Sequence, residues 1–345
     1  MRKRINNLLF SIGLAAVIVM LCTFEVSFAE LWAYITRAGY WLAAILGLWV
    51  VLYLMNAWAW RVIILGSGPC PISFFRLLKL TISGFALNYA TPIGLLGGEP
   101  YRIMELSKYI DVRRATSSVV LFAMMHIFCH FWFWATGIVT YLALAAAGKV
   151  PLETGTVVAL VFIGLFCWAG IYLFMKGYKN GMAVRFIHWL GHLPGLKKWG
   201  AHFIAAHEED LEKIDRQITE LQGQNKRSFF GSFCLEYVGR LCQSFEIFFM
   251  LLLFGIDGGG GAAGYLLTFL HAFLILAFTS LFANLLGFIP LQLGGREGGF
   301  AISVAQLGMT GGTAMFISII SRVRELFWAA AGILLMKVGK DNKPH

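Results

Sequence analysis

The sequence predicts an all-α polytopic membrane protein built from inverted repeats, each with a broken re-entrant helical hairpin between transmembrane helices. Three observations carry this expectation. Of 345 residues, 59% are hydrophobic and 13% charged, with a mean hydropathy of +0.73, whereas soluble domains carry roughly 25% charged residues. Apolar runs of about 20 residues, enough to cross a bilayer as a helix, recur from end to end. Two apolar segments are interrupted by matching clusters of proline and glycine.

Met1-Arg-Lys-Arg4 followed by an apolar run to about Phe24 resembles a signal peptide. No small-x-small cleavage site closes it and further spans follow, so it reads as an uncleaved first helix. Spans fall at about 8–27, 41–60, 117–147, 155–175, 229–254 and 311–336, leaving 72–110 and 264–309 for the interrupted segments. One transmembrane domain over 1–345 results, with repeat one at about 41–147, a cytoplasmic amphipathic connector at about 176–227 and repeat two at about 229–336.

The first interruption runs Asn88, Pro92, Gly97-Gly98-Glu99, Arg102, and the second Asn284, Pro290, Gly294-Gly295-Arg296-Glu297. In both, proline precedes glutamate by seven residues. Proline lacks a backbone donor and paired glycines carry a large entropic cost in a helix, so each stretch breaks one. Broken helices at membrane depth need protein or a water-filled cavity around the freed backbone, and two matched breaks point to a binding site between repeats. A hinge that merely lets helices pack is the plainer reading.

Basic residues mark the cytoplasmic side. With both termini, 61–114 and 176–227 inside, 22 of the 28 Lys and Arg are cytoplasmic and only Arg37 and Lys149 external. Gly255–Ala263, without Lys or Arg, falls outside, and its run Gly258–Gly261 reads as a flexible loop. Both flanks of 72–110 are basic, so that segment enters and returns on the cytoplasmic side, and 264–309 does so on the opposite side. The net charge of +10 is thus a topology signal, and nucleic acid is not an expected partner. In the connector, Leu211, Ile214, Ile218 and Leu221 recur at helical spacing among charges, and Phe186, Trp189 and Trp199 interleave with Arg185, Lys197 and Lys198 as in an interfacial helix.

Four acids fall within spans or breaks: Glu99, Glu236, Glu246 and Glu297. Intramembrane ionisable groups are costly and usually functional. Glu236 and Arg240 at i, i+4 suit a neutralised pair on one helix face. Arg322 and Arg324 point different ways, so that one faces a cavity while the other pairs with Glu325 or snorkels. Acids mixed with arginines suit a phosphate-bearing headgroup, the arginine fork taking the phosphate and glutamate countering it or taking an amine or proton. His126/His130 and His188/His192 have metal-compatible spacing, but their surroundings read as aromatic packing and interfacial helix, so no metal is expected. The six cysteines have no CxxC spacing and read as free thiols. No GxxxxGK[ST] motif occurs, so no ATP motor and no cofactor are implied.

These residues, Pro92, Gly97-Gly98-Glu99, Arg102, Glu236, Pro290, Gly294-Gly295-Arg296-Glu297-Gly298 and Arg322, resemble the lysylphosphatidylglycerol synthase transmembrane, or flippase-like, family over roughly 40–336. The resemblance implies a translocase moving a lipid between leaflets. Its candidate substrate-binding residues are Glu99, Arg102, Glu236, Arg240, Arg296, Glu297 and Arg322, and its helix-breaking residues Pro92, Gly97, Gly98, Pro290, Gly294 and Gly295. The expected ligand is an anionic phospholipid or a polyprenyl-linked lipid, in the cell inner membrane with both termini cytoplasmic; a lipid-synthesising enzyme is a candidate partner, and oligomerisation is open. The aminoacyl-transfer domain of bifunctional members has no counterpart in the sequence, so lysyl-lipid synthesis is not implied. The second motif has Gln292-Leu293 where family members often carry further glycines. A membrane-embedded transferase using Glu99 or Glu297 as base, and a non-transporting partner of a lipid synthase, are the alternatives; no enzymatic activity is the favoured expectation.

Overall fold

The computed structural model describes residues 32–33, 35–36, 38–90, 97–180, 226–285 and 295–337. The span expected at 8–27, the amphipathic and interfacial stretches of the connector, and Pro92, Pro290 and Gly294 lie outside them. The described residues form helices throughout: α1 (Tyr40–Gly66), α2 (Phe74–Ala90), α3 (Glu99–Leu106), α4 (Val112–Ala146), α5 (Thr154–Asn180), α6 (Lys226–Leu253), α7 (Gly261–Leu285), α8 (Gly295–Gln306) and α9 (Gly311–Leu335). No strand is present among the described residues.

Four of these, α1, α4, α5 up to Lys176, and α7, are long and apolar enough to cross a membrane. The protein is therefore a multi-pass helical membrane protein. α6 and α9, also expected as spans, have the length at 28 and 25 residues. They carry Glu236, Arg240 and Glu246, and Arg322, Arg324 and Glu325, and it is this charge that sets them apart from the four. The second interrupted segment differs from expectation in that its arm α7, at 25 residues, is itself long enough to cross, whereas the arm α2 of the first has 17.

The first interrupted segment breaks at the bend Gly97–Gly98; residues 286–294 of the second lie outside the described residues. α2 ends at Ala90 and α3 starts at Glu99; α7 ends at Leu285 and α8 starts at Gly295. α3 and α8 each carry the acid in the first turn, Glu99 and Glu297, where the helix dipole favours negative charge. Asn88 joins the two sides of the first break, its Oδ1 accepting from the Gly98 backbone N–H at 2.6 Å. Asn284 instead donates back into its own helix, to Ser280 O at 2.7 Å.

α1 and α6 lie antiparallel along their whole length, with Gly66 against Ser228, Gly239 near Met55 and Trp41 beside Phe249. α2 packs closely on α9: Ser83 Oγ donates to Gly332 O at 2.8 Å, and a Cβ on Gly332 would lie 2.6 Å from that of Ala86. α7 packs on α4 through Phe133–Phe273, Gly137–Ala277 and a bond from Trp134 Nε1 to Ser280 Oγ at 2.9 Å. Small residues at such crossings let helices approach closely in a membrane, where water no longer drives them together. α5 rests on α4 by the stacked rings of Phe174 and Phe128, 4.0 Å apart, and exposes Val161, Phe162, Leu165 and Trp168.

Two connections differ from expectation. Gly258–Gly261 is a closed turn rather than a flexible loop: Asp257 Oδ1 accepts from Gly259 N at 3.0 Å, and a Cβ on Gly258 would meet Gly264 O at 2.4 Å. The positive φ of Gly258, Gly259, Gly260 and Gly261 accounts for the glycine run. Asp111 caps α4 by accepting from Arg113 N at 2.9 Å, which fixes the short link from α3.

Candidate functional site

Arg102, counted by sequence among cytoplasmic basic residues, is 1% exposed and does not face solvent. Its guanidinium reaches Glu99 at 3.0 Å and Thr81 O at 3.3 Å, and lies 4.6 Å from the Phe85 ring centroid, with Phe122 and Trp60 also around it. Its place depends on two glycines. A Cβ on Gly84 would sit 2.2 Å from Arg102 Nε, and one on Gly98 would sit 2.0 Å from Gly84 O. The charge is tolerated there because a carboxylate, a carbonyl and aromatic faces replace its water.

The second half holds a denser cluster. Arg322 binds Glu297 through Nε at 3.1 Å and Nη2 at 2.8 Å, and reaches Glu325 at 3.4 Å. Arg296 contacts Glu325 as well. Arg324 binds Glu246 at 2.9 and 3.3 Å, stacks 3.9 Å from the centroid of Trp49, and lies 3.6 Å from Glu325. Trp49 Nε1 donates to the same Glu246 at 2.9 Å. Glu246 thereby ties α6 to α9 and α1. Neither Arg322 nor Arg324 snorkels: both are buried, because α9 faces carboxylates from α6 and α8 at that level.

Between α1, α2, α4 and α6 lies a cavity of about 120 Å³, far above the ~10–15 Å³ that holds one water. Trp49, Leu52, Tyr53 and Asn56 line it from α1, Phe85 and Tyr89 from α2, His126 from α4, and Glu236, Gly239, Arg240 and Gln243 from α6. The direct Glu236–Arg240 pair expected from their spacing is absent, because His126 stands between them. Its Nδ1 lies 2.8 Å from Glu236 Oε2, and its Nε2 meets Arg240 Nη2. An arginine N–H only donates, so Nε2 accepts and Nδ1 carries the proton that Glu236 accepts. His130 closes the relay by bonding the His126 carbonyl at 2.9 Å.

Of the sequence-derived set, Glu236 and Arg240 line the cavity; Glu99 with Arg102 and Glu297 with Arg322 form ion pairs at the two interrupted segments; Arg296 meets Glu325. Neither Glu99 nor Glu297 lines the cavity. Sequence reasoning read His126 as aromatic packing where it bonds Glu236 and Arg240, missed Trp49 and Gly84, and left Arg324 and Glu325 without partners on other helices. A signal for one of them was present: Glu246 has no cation three or four residues away on α6, so its partner had to come from another helix. Cys70, Cys129, Cys167, Cys234 and Cys242 are free thiols.

Fold and site together define a helical membrane protein whose interior holds ion pairs between helices and a cavity lined in part by ionisable side chains. Residues 8–332 match the family model described as the lysylphosphatidylglycerol synthase TM region, and the chain belongs to that family. No curated protein and no solved structure matches it. The membership makes this a membrane domain with a lipid-related role.

Proposed function

We propose that the protein translocates a lipid headgroup between leaflets, with no ATPase or enzymatic activity of its own, in the cell inner membrane with both termini cytoplasmic. The observation that carries this reading is the cavity: a carboxylate, an imidazole and a guanidinium line one space between four helices of an otherwise apolar protein. Such a site can hold a headgroup while the acyl chains stay in lipid.

Alternation of access is supported by the exchanged packing. The first helices, α1 and α6, lie antiparallel on each other; the arm α2 packs on α9, and the arm α7 on α4. Each half thus grips the other through equivalent elements, as inverted repeats do. Rocking one half against the other would carry α1 past α6 and change which side of the cavity is closed. Anionic phospholipids and polyprenyl-linked lipids are the substrates to test first, and a lipid synthase is the partner to seek.

Purified protein in vesicles carrying fluorescent lipid in both leaflets, with the outer leaflet bleached chemically, tests this. Bleaching beyond the outer-leaflet fraction is expected with protein present and absent without it. Chemical conversion of the lipid, or no movement for any lipid class, overturns the proposal.

A further inference from the structure

Glu236 differs from the other acids within the helices. Glu99, Glu246, Glu297 and Glu325 each contact an arginine, whereas the Glu236 carboxylate, among the described residues, bonds only to the imidazole of His126. The Glu236 side chain is 2% exposed and that of His126 is 22%. The imidazole is the more open of the two, and so it is the route from the cavity that both residues line to the carboxylate behind it.

The bond polarities around His126 define a latch. Arg240 donates to Nε2, which keeps that nitrogen free of a proton and holds the ring proton on Nδ1, where Glu236 Oε2 accepts it at 2.8 Å. When Arg240 withdraws, Nε2 is open to a proton from solvent in the cavity, and Nδ1 can pass its own proton to Oε2. The imidazole is then neutral again with its proton on Nε2, Glu236 is a carboxylic acid, and one proton has been taken up. A guanidinium only donates, so it cannot return to an Nε2 that carries a proton. Arg240 on the ring and a proton on Glu236 therefore exclude each other. Gln243 Oε1, already 3.2 Å from Arg240, gives the guanidinium a place to rest off the ring.

We propose that translocation is coupled to a proton that Glu236 carries, His126 delivers and Arg240 gates. The proposal rests on the translocation reading for what the proton drives. Acidic and histidine side chains in sequence inside membrane helices serve as proton relays. The titratable and charged groups around the pair are Tyr53 from α1, Tyr89 from α2, Arg102 from α3, Cys129 and His130 from α4, and Arg240 from α6. Glu236 is the one carboxylate among them, and His130 is spent on the His126 carbonyl.

Charge balance links the proton to the cargo. Glu236 and Arg240 cancel before loading, and a proton on Glu236 leaves the site with one positive charge in excess. A low-dielectric interior does not tolerate that charge alone. An anionic headgroup, the class put first above, restores neutrality, so proton and lipid cross in the same direction.

The test uses the full chain in vesicles holding fluorescent phosphatidylglycerol or, in parallel, a fluorescent polyprenyl phosphate, with the membrane potential clamped and a pH gradient of either sign imposed. One proton per lipid shifts the leaflet ratio toward the alkaline side by up to about tenfold per pH unit, beyond any shift in protein-free vesicles, and the shift reverses with the gradient. Glu236→Gln, which keeps an oxygen for the His126 N–H but cannot carry a proton, is expected to lose it. Arg240→Met removes both the latch and the excess charge, and is expected to acidify a trapped pH dye severalfold faster than the parent protein without lipid transfer. A readout independent of transport is the infrared difference between acidified and neutral protein, which should contain a carboxylic-acid C=O band that Glu236→Gln lacks. Lipid movement indifferent to the gradient overturns the coupling and leaves translocation standing, as does an identical band in the parent and a folded Glu236→Gln. No movement of either lipid overturns translocation and coupling together. Should Glu236→Gln fail to fold, the gradient response of the parent protein decides alone.

Discussion

Glu236 and Arg240 lie one turn apart on α6 yet meet only through His126 of α4, whose two ring nitrogens face them in turn. The imidazole thus bridges α4 to both charged side chains of this face of α6, and it fixes its own tautomer by serving as donor on one side and acceptor on the other. His126→Phe keeps the ring's volume and removes both bonds. It should lower stability in detergent by about 2–4 kcal/mol, since bonds to charged groups contribute about 1.5–3 each. Thermal unfolding followed by tryptophan fluorescence checks this; an unchanged midpoint would show the relay to be energetically silent.

The carboxylates at the two interrupted segments should behave differently. Glu99→Gln leaves Arg102, 1% exposed, without its carboxylate, and breaking one side of a buried pair costs about 3–5 kcal/mol. The Glu297 side chain is 38% exposed, so Glu297→Gln should cost much less. Detergent-solution melting is expected to rank them in that order. If the Glu297 variant is the less stable of the two, exposure is not what sets the cost.

Three glycines form a graded series. An added methyl at Gly84 would lie 2.2 Å from Arg102 Nε, at Gly299 3.1 Å from Thr279 Cα, and at Gly298 within 4 Å of nothing. Arg102, boxed by Phe85, Phe122 and Trp60, has nowhere to move. Gly84→Ala should cost upward of 1–3 kcal/mol from overpacking, Gly299→Ala less, and Gly298→Ala should be neutral or stabilising by up to ~1 kcal/mol through helix propensity. Monodisperse yield on size exclusion gives the ranking, and a well-behaved Gly84 variant would contradict the packing.

Glu246 and Arg324 are suited to a double-mutant cycle. Glu246→Gln and Arg324→Met should each destabilise by about 3–5 kcal/mol. The double variant should fall short of their sum by about 1–3 kcal/mol, the coupling found for residues in one network. Strict additivity would mean that the contacts at 2.9 and 3.3 Å contribute nothing specific.

Sidedness can be read from two positions. Lys108, which bonds Glu105 at 2.7 Å, follows α3, and Asp257 sits in the α6–α7 turn. In intact cells, on a cysteine-free background, an impermeant thiol reagent should label Asp257→Cys and spare Lys108→Cys. Labelling in the reverse order would refute cytoplasmic termini.

The spans at α1, α4 and α5 and the first break, at Gly97–Gly98, were legible because hydropathy, proline and glycine act locally along the chain. The acids at Glu99 and Glu297 were legible for the same reason, as rare charges beside the proline and glycine clusters. What stayed hidden came from contacts between helices far apart in sequence. Trp49 and Glu246 are 197 residues apart, and His126 and Glu236 are 110. Helical spacing correctly put Glu236 and Arg240 on one face but could not foresee an imidazole from α4 entering between them. Arg102 misled for a related reason: a basic residue near a basic flank looks cytoplasmic until Gly84 is seen to leave it a berth inside.

The ion pair of Glu246 with Arg324 also has a consequence for biogenesis. α6 leaves the ribosome while Arg324 is still 78 residues from synthesis. A charged residue at the centre of an isolated membrane helix costs about 2.5–3.5 kcal/mol on insertion scales, and α6 carries three, Glu236, Arg240 and Glu246. His126 of α4 is already available to two of them, but among the described residues Glu246 has only the indole of Trp49 until α9 arrives. α9 therefore completes the charge balance of α6: until it inserts, Glu246 stands in the bilayer as a carboxylate with no cation among the described residues to match it.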